Sequence, residues 1–156
     1  MLLIQHQFRT SNTRAVNNPT RGQDKSNSLC DYLDPAATMQ FIDFTHAEYK
    51  KYVGEEFGKT VLGFRGDEPD YSIRGIPWTP EIFDEFKNRK GYDVRPYTAA
   101  FFAPELTEKQ KRIKADYWDV WSDMFRENFF GVQADWCAEN DLQYLVHLNK
   151  EDNMPA

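Results

Sequence analysis

The sequence predicts an α/β fold with parallel strands, and three observations carry the prediction. Short apolar runs at residues 60–64 and 142–148 alternate with longer stretches of helical period. The helical stretches open on recognisable start signals, Asp34-Pro35, Thr79-Pro80 and Thr107. Each apolar run stops in polar residues, Asp67 and Glu68 after the first and His147, Asn149, Lys150 and Glu151 after the second. Strands that alternate with helices imply parallel pairing and right-handed crossovers, and in such folds chemistry gathers where the strands end.

Taken in order, residues 2–8 have the content of a short strand, and residues 10–28 are polar, aperiodic and read as a long loop. Asp34 is placed to cap a helix with Pro35 at its first position. Thr38, Phe41, Ile42, Thr45, Tyr49, Tyr52 and Val53 follow at helical spacing and define a face to be buried, with Gly54 or Gly58 as the end. Val61, Leu62 and Phe64 then supply a strand covered on both faces, which Gly66 and Pro69 terminate. Thr79-Pro80 repeats the cap-then-proline signal for a helix with Ile82, Phe83 and Phe86 as its apolar stripe and Lys90-Gly91 as its close.

A short turn containing Pro96 and Pro104 leads to Thr107 and Gln110, the spacing of a capping box. The long amphipathic helix that follows runs through Ile113, Tyr117, Trp118, Trp121, Met124 and Phe125 to about Trp136, and Asn140 stops it. Trp118 and Trp121 sit at helical spacing and belong to the core. The last strand covers residues 142–148. Three strands are too few to close an eight-stranded barrel, which takes about 250 residues. The 156 residues therefore read as a single incomplete segment, with sheet edges and apolar surface exposed when it stands alone.

Composition narrows the function classes. A chain with 40% hydrophobic and 28% charged residues has a globular balance. Its 19 Lys+Arg against 25 Asp+Glu give a net charge of -6, which argues against nucleic acid and anionic membrane as partners. The N-terminal MLLIQHQFRT is too short an apolar run for a signal peptide, and nothing approaches a membrane span. Aromatic residues make up 15% of the chain, enough both for a core and for the stacking platforms that sugars use. Cys30 and Cys137 match no C-x-x-C spacing; they are free thiols or one long-range bridge, with free thiols the expectation.

Glu68 is the leading candidate for chemistry. A carboxyl group at the exit of a buried strand, with Asp67 beside it, has its proton affinity raised by desolvation and by the neighbouring charge, which is how a general acid is made. The competing structural reading has Asp67 capping the turn and Glu68 paired with Arg65 or Arg74. His147 and Asn149 alternate on one side of the last strand and offer hydrogen bonds to ligand hydroxyls, and Glu151 continues that spacing. Tyr71 and Trp78 are rim candidates. Asp67, Glu68 and Asp70 also form an acidic triplet of the kind that holds a hard cation such as Ca²⁺.

The helix FIDFTHAEYKKYVGEEFGKT, the stretch GFRGDEP, the segment FKNRKGYDVRPY and the strand YLVHLN together resemble glycoside hydrolase family 106, the bacterial α-L-rhamnosidases, over about residues 29–151. The resemblance implies a partial (β/α)8 TIM-barrel segment inside a larger, secreted or periplasmic multidomain enzyme. Its activity would be inverting, metal-assisted cleavage of terminal rhamnose from plant- or bacterial-type glycans. On that pattern Glu68 stands at the position of the acidic residue ending a central strand, and Asp67 supports it. Inversion needs a second carboxylate about 6.5–9.5 Å away; a later strand would supply it, and Glu151 is the local substitute. The alternative is a non-catalytic carbohydrate-binding or scaffold segment, in which Tyr71 and Trp78 matter more than Glu68.

Overall fold

The structure is a computed structural model and describes residues 30–67, 69 and 75–148. The expected strand at residues 2–8 and the loop at 10–28 lie outside the described residues.

Helix α1 spans Pro35–Phe44 and begins as its sequence dictates, with the Ala36 amide donating to Asp34 Oδ1 at 2.8 Å and Pro35 in the first turn. It does not run on to Val53. Thr45 adopts φ -122° and ψ -80°, its hydroxyl donates to Phe41 O at 2.7 Å, and α2 (His46–Val53) restarts from there. The break redirects the face expected to be buried. Thr38, Ile42 and His46 are the buried stripe, whereas Phe41, Tyr49, Tyr52 and Val53 are exposed, Tyr52 at 84%. The buried stripe is the side on which α1 and α2 meet α5 and the first strand, and Phe41 and Tyr49 touch its rim edge-on, at His46 and Phe64 respectively.

The first strand starts later than the apolar run suggests. After a 3-10 turn at Gly54–Glu56, Glu56 O accepts the amides of Lys59, Thr60 and Val61, each at 3.1 Å, so these residues are committed to a turn. Strand β1 is Gly63–Asp67. It pairs in parallel with β2 (Gln143–His147), in the register Gly63↔Gln143 through Asp67↔His147. Gly63 makes that approach possible. A Cβ there would lie under 3.0 Å from Gln143 O, which only glycine avoids.

Helix α3 is Ile82–Lys90. Thr79 does not cap it; the Thr79 hydroxyl donates to Asp31 Oδ2 at 2.7 Å, and the helix begins two residues beyond Pro80. Gly91 closes it in the left-handed region at φ 79°, as its position predicts. Where a turn was expected, a 3-10 helix occupies Arg95–Phe102. Helix α4, Glu108–Phe125, carries the complete capping box, with Gln110 N donating to Thr107 Oγ1 at 3.3 Å and Thr107 N to Gln110 Oε1 at 2.9 Å. The chain continues through a π-helical stretch, Arg126–Gly131, into α5 at Val132–Ala138. Asn140 then donates to Trp136 O at 2.7 Å, and Asp141 turns at φ 56° into β2.

The main core lies between α3, the 3-10 helix and α4. Phe86, Ile82, Val94, Tyr117, Val120 and Met124 are fully buried there. Trp118 and Trp121 are half-buried, their rings 5.4 Å apart, and Trp121 stacks on Phe125. Cys30 and Cys137 are free thiols.

The two strands have unlike faces. Phe64 and Tyr144, paired across the strands, turn toward the helices, and the Phe64 ring lies 4.0 Å from His46 and 6.3 Å from Trp136. Arg65, Asp67, Leu145 and His147 project to the other side and are exposed, Leu145 at 59%. Among the described residues helices lie against one face of β1, and to that extent the expectation that it is covered on both faces is corrected. Among the described residues the architecture is mixed α/β with two parallel strands.

Candidate active site

The C-terminal ends of β1 and β2 bring together two residues that the sequence singled out separately. Asp67 and His147 are register partners, so their side chains leave the same face of the sheet, and Asp67 Oδ1 lies 3.3 Å from His147 Nδ1. Both side chains are half-exposed. Arg65 stands two residues behind Asp67 on that open face, where the period of a strand places it.

Trp78 belongs to the segment entering α3 and is 41% exposed. Its segment is held from two sides. The buried Tyr117 hydroxyl donates to Pro77 O at 2.6 Å, and Thr79 is tied to Asp31. Glu68, Tyr71, Asn149 and Glu151 lie outside the described residues. Of the acidic triplet, only Asp67 is described, and among the described residues no three metal-ligating groups gather.

The helix-facing side of the sheet is chemically quiet. Burial pushes the Tyr144 phenol up to about 12 and raises the Cys137 thiol, so both stay neutral. His46 lies against Phe64, with its ring centroid 4.0 Å away. Thr45 spends its one hydroxyl hydrogen on Phe41 O, so at its 2.8 Å contact with His46 Nδ1 the Thr45 oxygen accepts. The proton of His46 therefore sits on Nδ1, Nε2 is a buried nitrogen without a partner, and burial lowers the pKa of the ring. Its signal in the sequence was its place four residues after Ile42 and eight after Thr38, a stripe on which a histidine was not expected. A cleft beside β2, lined by Arg126, Phe130, Tyr144 and Val146 among others, lies on this side and includes neither Asp67 nor His147.

Comparison with known proteins adds to this geometry. Residues 7–155 match the glycoside hydrolase family described as alpha-L-rhamnosidase. Among solved structures, the rhamnosidase from Novosphingobium sp. PP1Y is similar, with a TM-score of 0.62 and 23% sequence identity over 78% of this chain. The chain spans 12% of that rhamnosidase, and at this identity the likeness concerns the fold. No curated protein matches. The family match covers nearly the whole length of the chain, which therefore belongs to the α-L-rhamnosidase family of glycoside hydrolases, family 106.

Proposed function

We propose that this segment is part of the barrel of a rhamnosidase catalytic domain within a longer polypeptide, and that the ends of β1 and β2 face the bound sugar. The observation that carries the reading is the pairing of Asp67 with His147 on the open face of a parallel sheet, in a chain of this family. The exposure of Leu145 on the same face supports it, since an apolar residue there is covered once further strands curve the sheet into a barrel.

In this reading Glu68, next after Asp67, protonates the glycosidic oxygen as the bond to the leaving group breaks. Water attacks the opposite face of the sugar, activated by a second carboxylate about 6.5–9.5 Å away on a later strand, with Glu151 as the local candidate. His147 and Asn149 bind sugar hydroxyls, Asp67 supports the site, and Tyr71 and Trp78 offer apolar rims.

The test is Glu68→Gln in the full-length polypeptide, assayed on two rhamnosides. An alkyl α-L-rhamnoside has a poor leaving group that needs the proton, so its turnover should fall by about 10²–10⁴. A nitrophenyl α-L-rhamnoside leaves readily without it and should lose much less. Unchanged hydrolysis of the alkyl substrate, or equal losses on both, refutes Glu68 as the acid.

A further inference from the structure

The helix-facing side of β2 is only partly covered. Tyr144 and Val146 alternate with Leu145 and turn toward the helices, as Phe64 does on β1, yet Val146 is 38% exposed. The uncovered part is the cleft beside β2, a cavity of about 470 Å³ lined from the strand by Tyr144 and Val146 and from the helical side by Phe130, Gly131, Ala134 and Asp135. These four residues fall at helical spacing through the end of the π-helical stretch and α5. α5 already packs with α1 and β2 and buries Gln133 and Cys137, so the cleft runs along its other flank. Gly131 and Ala134 keep that flank low, which lets a helix axis approach to the usual separation of about 8–10 Å.

Topology determines what comes to this place. β2 pairs with β1 along one edge, and among the described residues no strand pairs with the other. A parallel strand added at that edge is reached by a crossover, and crossovers are right-handed in nearly every case, so the next helix returns over the face that already carries α5. The remaining polypeptide can supply it, since this chain spans 12% of the similar rhamnosidase.

Given the barrel reading, on which this rests, we infer that the cleft is the seat of the helix that follows β2 in the longer polypeptide. That helix is amphipathic, its apolar stripe covering Phe130, Tyr144 and Val146 and its edge setting a Lys or Arg beside Asp135. Charge selects the edge. Glu127 is held by Arg89 and Arg126, at 2.7 and 2.9 Å, and Arg126 also by Asp123. The exposed Asp135 carboxylate has no ion-pair partner among the described residues, so a cation is what this rim lacks. The seat is on the face opposite Asp67 and His147, and filling it leaves the ends of the strands open to the sugar.

The test uses the full-length polypeptide with Asp135, an exposed position, replaced by the photo-reactive p-benzoylphenylalanine. Irradiation at low protein concentration, followed by mass spectrometry of the digest, identifies what lies against the cleft. The expected product is a cross-link within one chain to a helix between β2 and the next strand, with a Lys or Arg within a turn of the linked residue. Val146→Cys gives an independent readout. A maleimide should label it at least about tenfold more slowly in the folded polypeptide than in urea, because a seated helix must open before the thiol reacts.

No cross-link, or one to a second copy of the chain or to a distant domain, overturns the assignment, as does labelling slowed by less than about tenfold. A linked helix without a basic residue there overturns the charge pairing. Rhamnoside hydrolysis by a polypeptide that yields no such cross-link would refute the seat and leave the glycosidase reading standing. The cross-link in a polypeptide that hydrolyses no rhamnoside would do the reverse.

Discussion

Gly63→Ala should be the most damaging single methyl group that can be added to the sheet. At Gly63 the new Cβ would fall under 3.0 Å from Gln143 O, a backbone atom, whereas ordinary contact begins at 3.4 Å. No side chain can swing aside, so the strands must part, and the bond from Gln143 N to Leu62 O at 2.9 Å goes with them. Overpacking costs about 1–3 kcal/mol and the lost backbone hydrogen bond about 1 kcal/mol, giving about 2–4 kcal/mol in all. Gly66→Ala is the control. Its Cβ would meet Tyr144 Oη at 3.3 Å, the far end of a side chain that can yield, so its cost should stay within about 1 kcal/mol. Both changes remove the same unfolded-state freedom, so the difference between them isolates the clash. Urea unfolding followed by circular dichroism measures both. Equal midpoints for the two variants would refute the close approach at Gly63 and the register built on it.

Three further outcomes follow from named contacts. The neutral, buried His46 has a folded-state pKa below its unfolded value of 6.5, so its contribution is intact above that value. It should be lost as pH falls through the folded-state pKa, because the unfolded chain binds the proton first; urea midpoints at several pH values should show a smaller acid decline in His46→Phe. Tyr117→Phe leaves Pro77 O without its donor and should cost about 1 kcal/mol in the same unfolding assay, with little effect on secondary structure. Thr107→Ala removes one half of the capping box and should lower stability by about 1 kcal/mol, with Thr107→Ser recovering most of it.

Local chemistry made parts of this fold readable in the sequence. The Asp34 cap, the capping box at Thr107 and Gln110 and the left-handed close at Gly91 each depend on a few adjacent residues, and each is present as expected. The misplaced features depend on contacts that sequence spacing does not encode. The helix breaks at Thr45, whose backbone leaves the helical region while its hydroxyl bonds to Phe41 O, and Thr79 bonds to Asp31 rather than to the helix it precedes. The start of β1 moved to Gly63 because Glu56 O holds three amides ahead of it, and because the glycine that strand propensity disfavours is the residue that lets β2 approach. The π-helical stretch after Phe125 left no mark in the apolar pattern, since Phe129 and Phe130 continue it.

At the candidate site, each strand's polar ending was legible, and the approach of Asp67 to His147 was not. That contact is fixed by register across 80 residues, and it follows only once Gly63 is set opposite Gln143. The exposed aromatic residues of α1 and α2 show the same limit. Periodicity identified an apolar face, but which part of it is buried depends on the elements packed against it.

The most direct test of the central claim is release of rhamnose from a nitrophenyl α-L-rhamnoside by the full-length polypeptide that carries this segment, run beside a panel of other nitrophenyl glycosides. Turnover selective for the α-L-rhamnoside is the expected result. Absence of turnover on every glycoside, with sugar binding that survives Glu68→Gln and vanishes in Trp78→Ala, would contradict it and make the segment a carbohydrate-binding element.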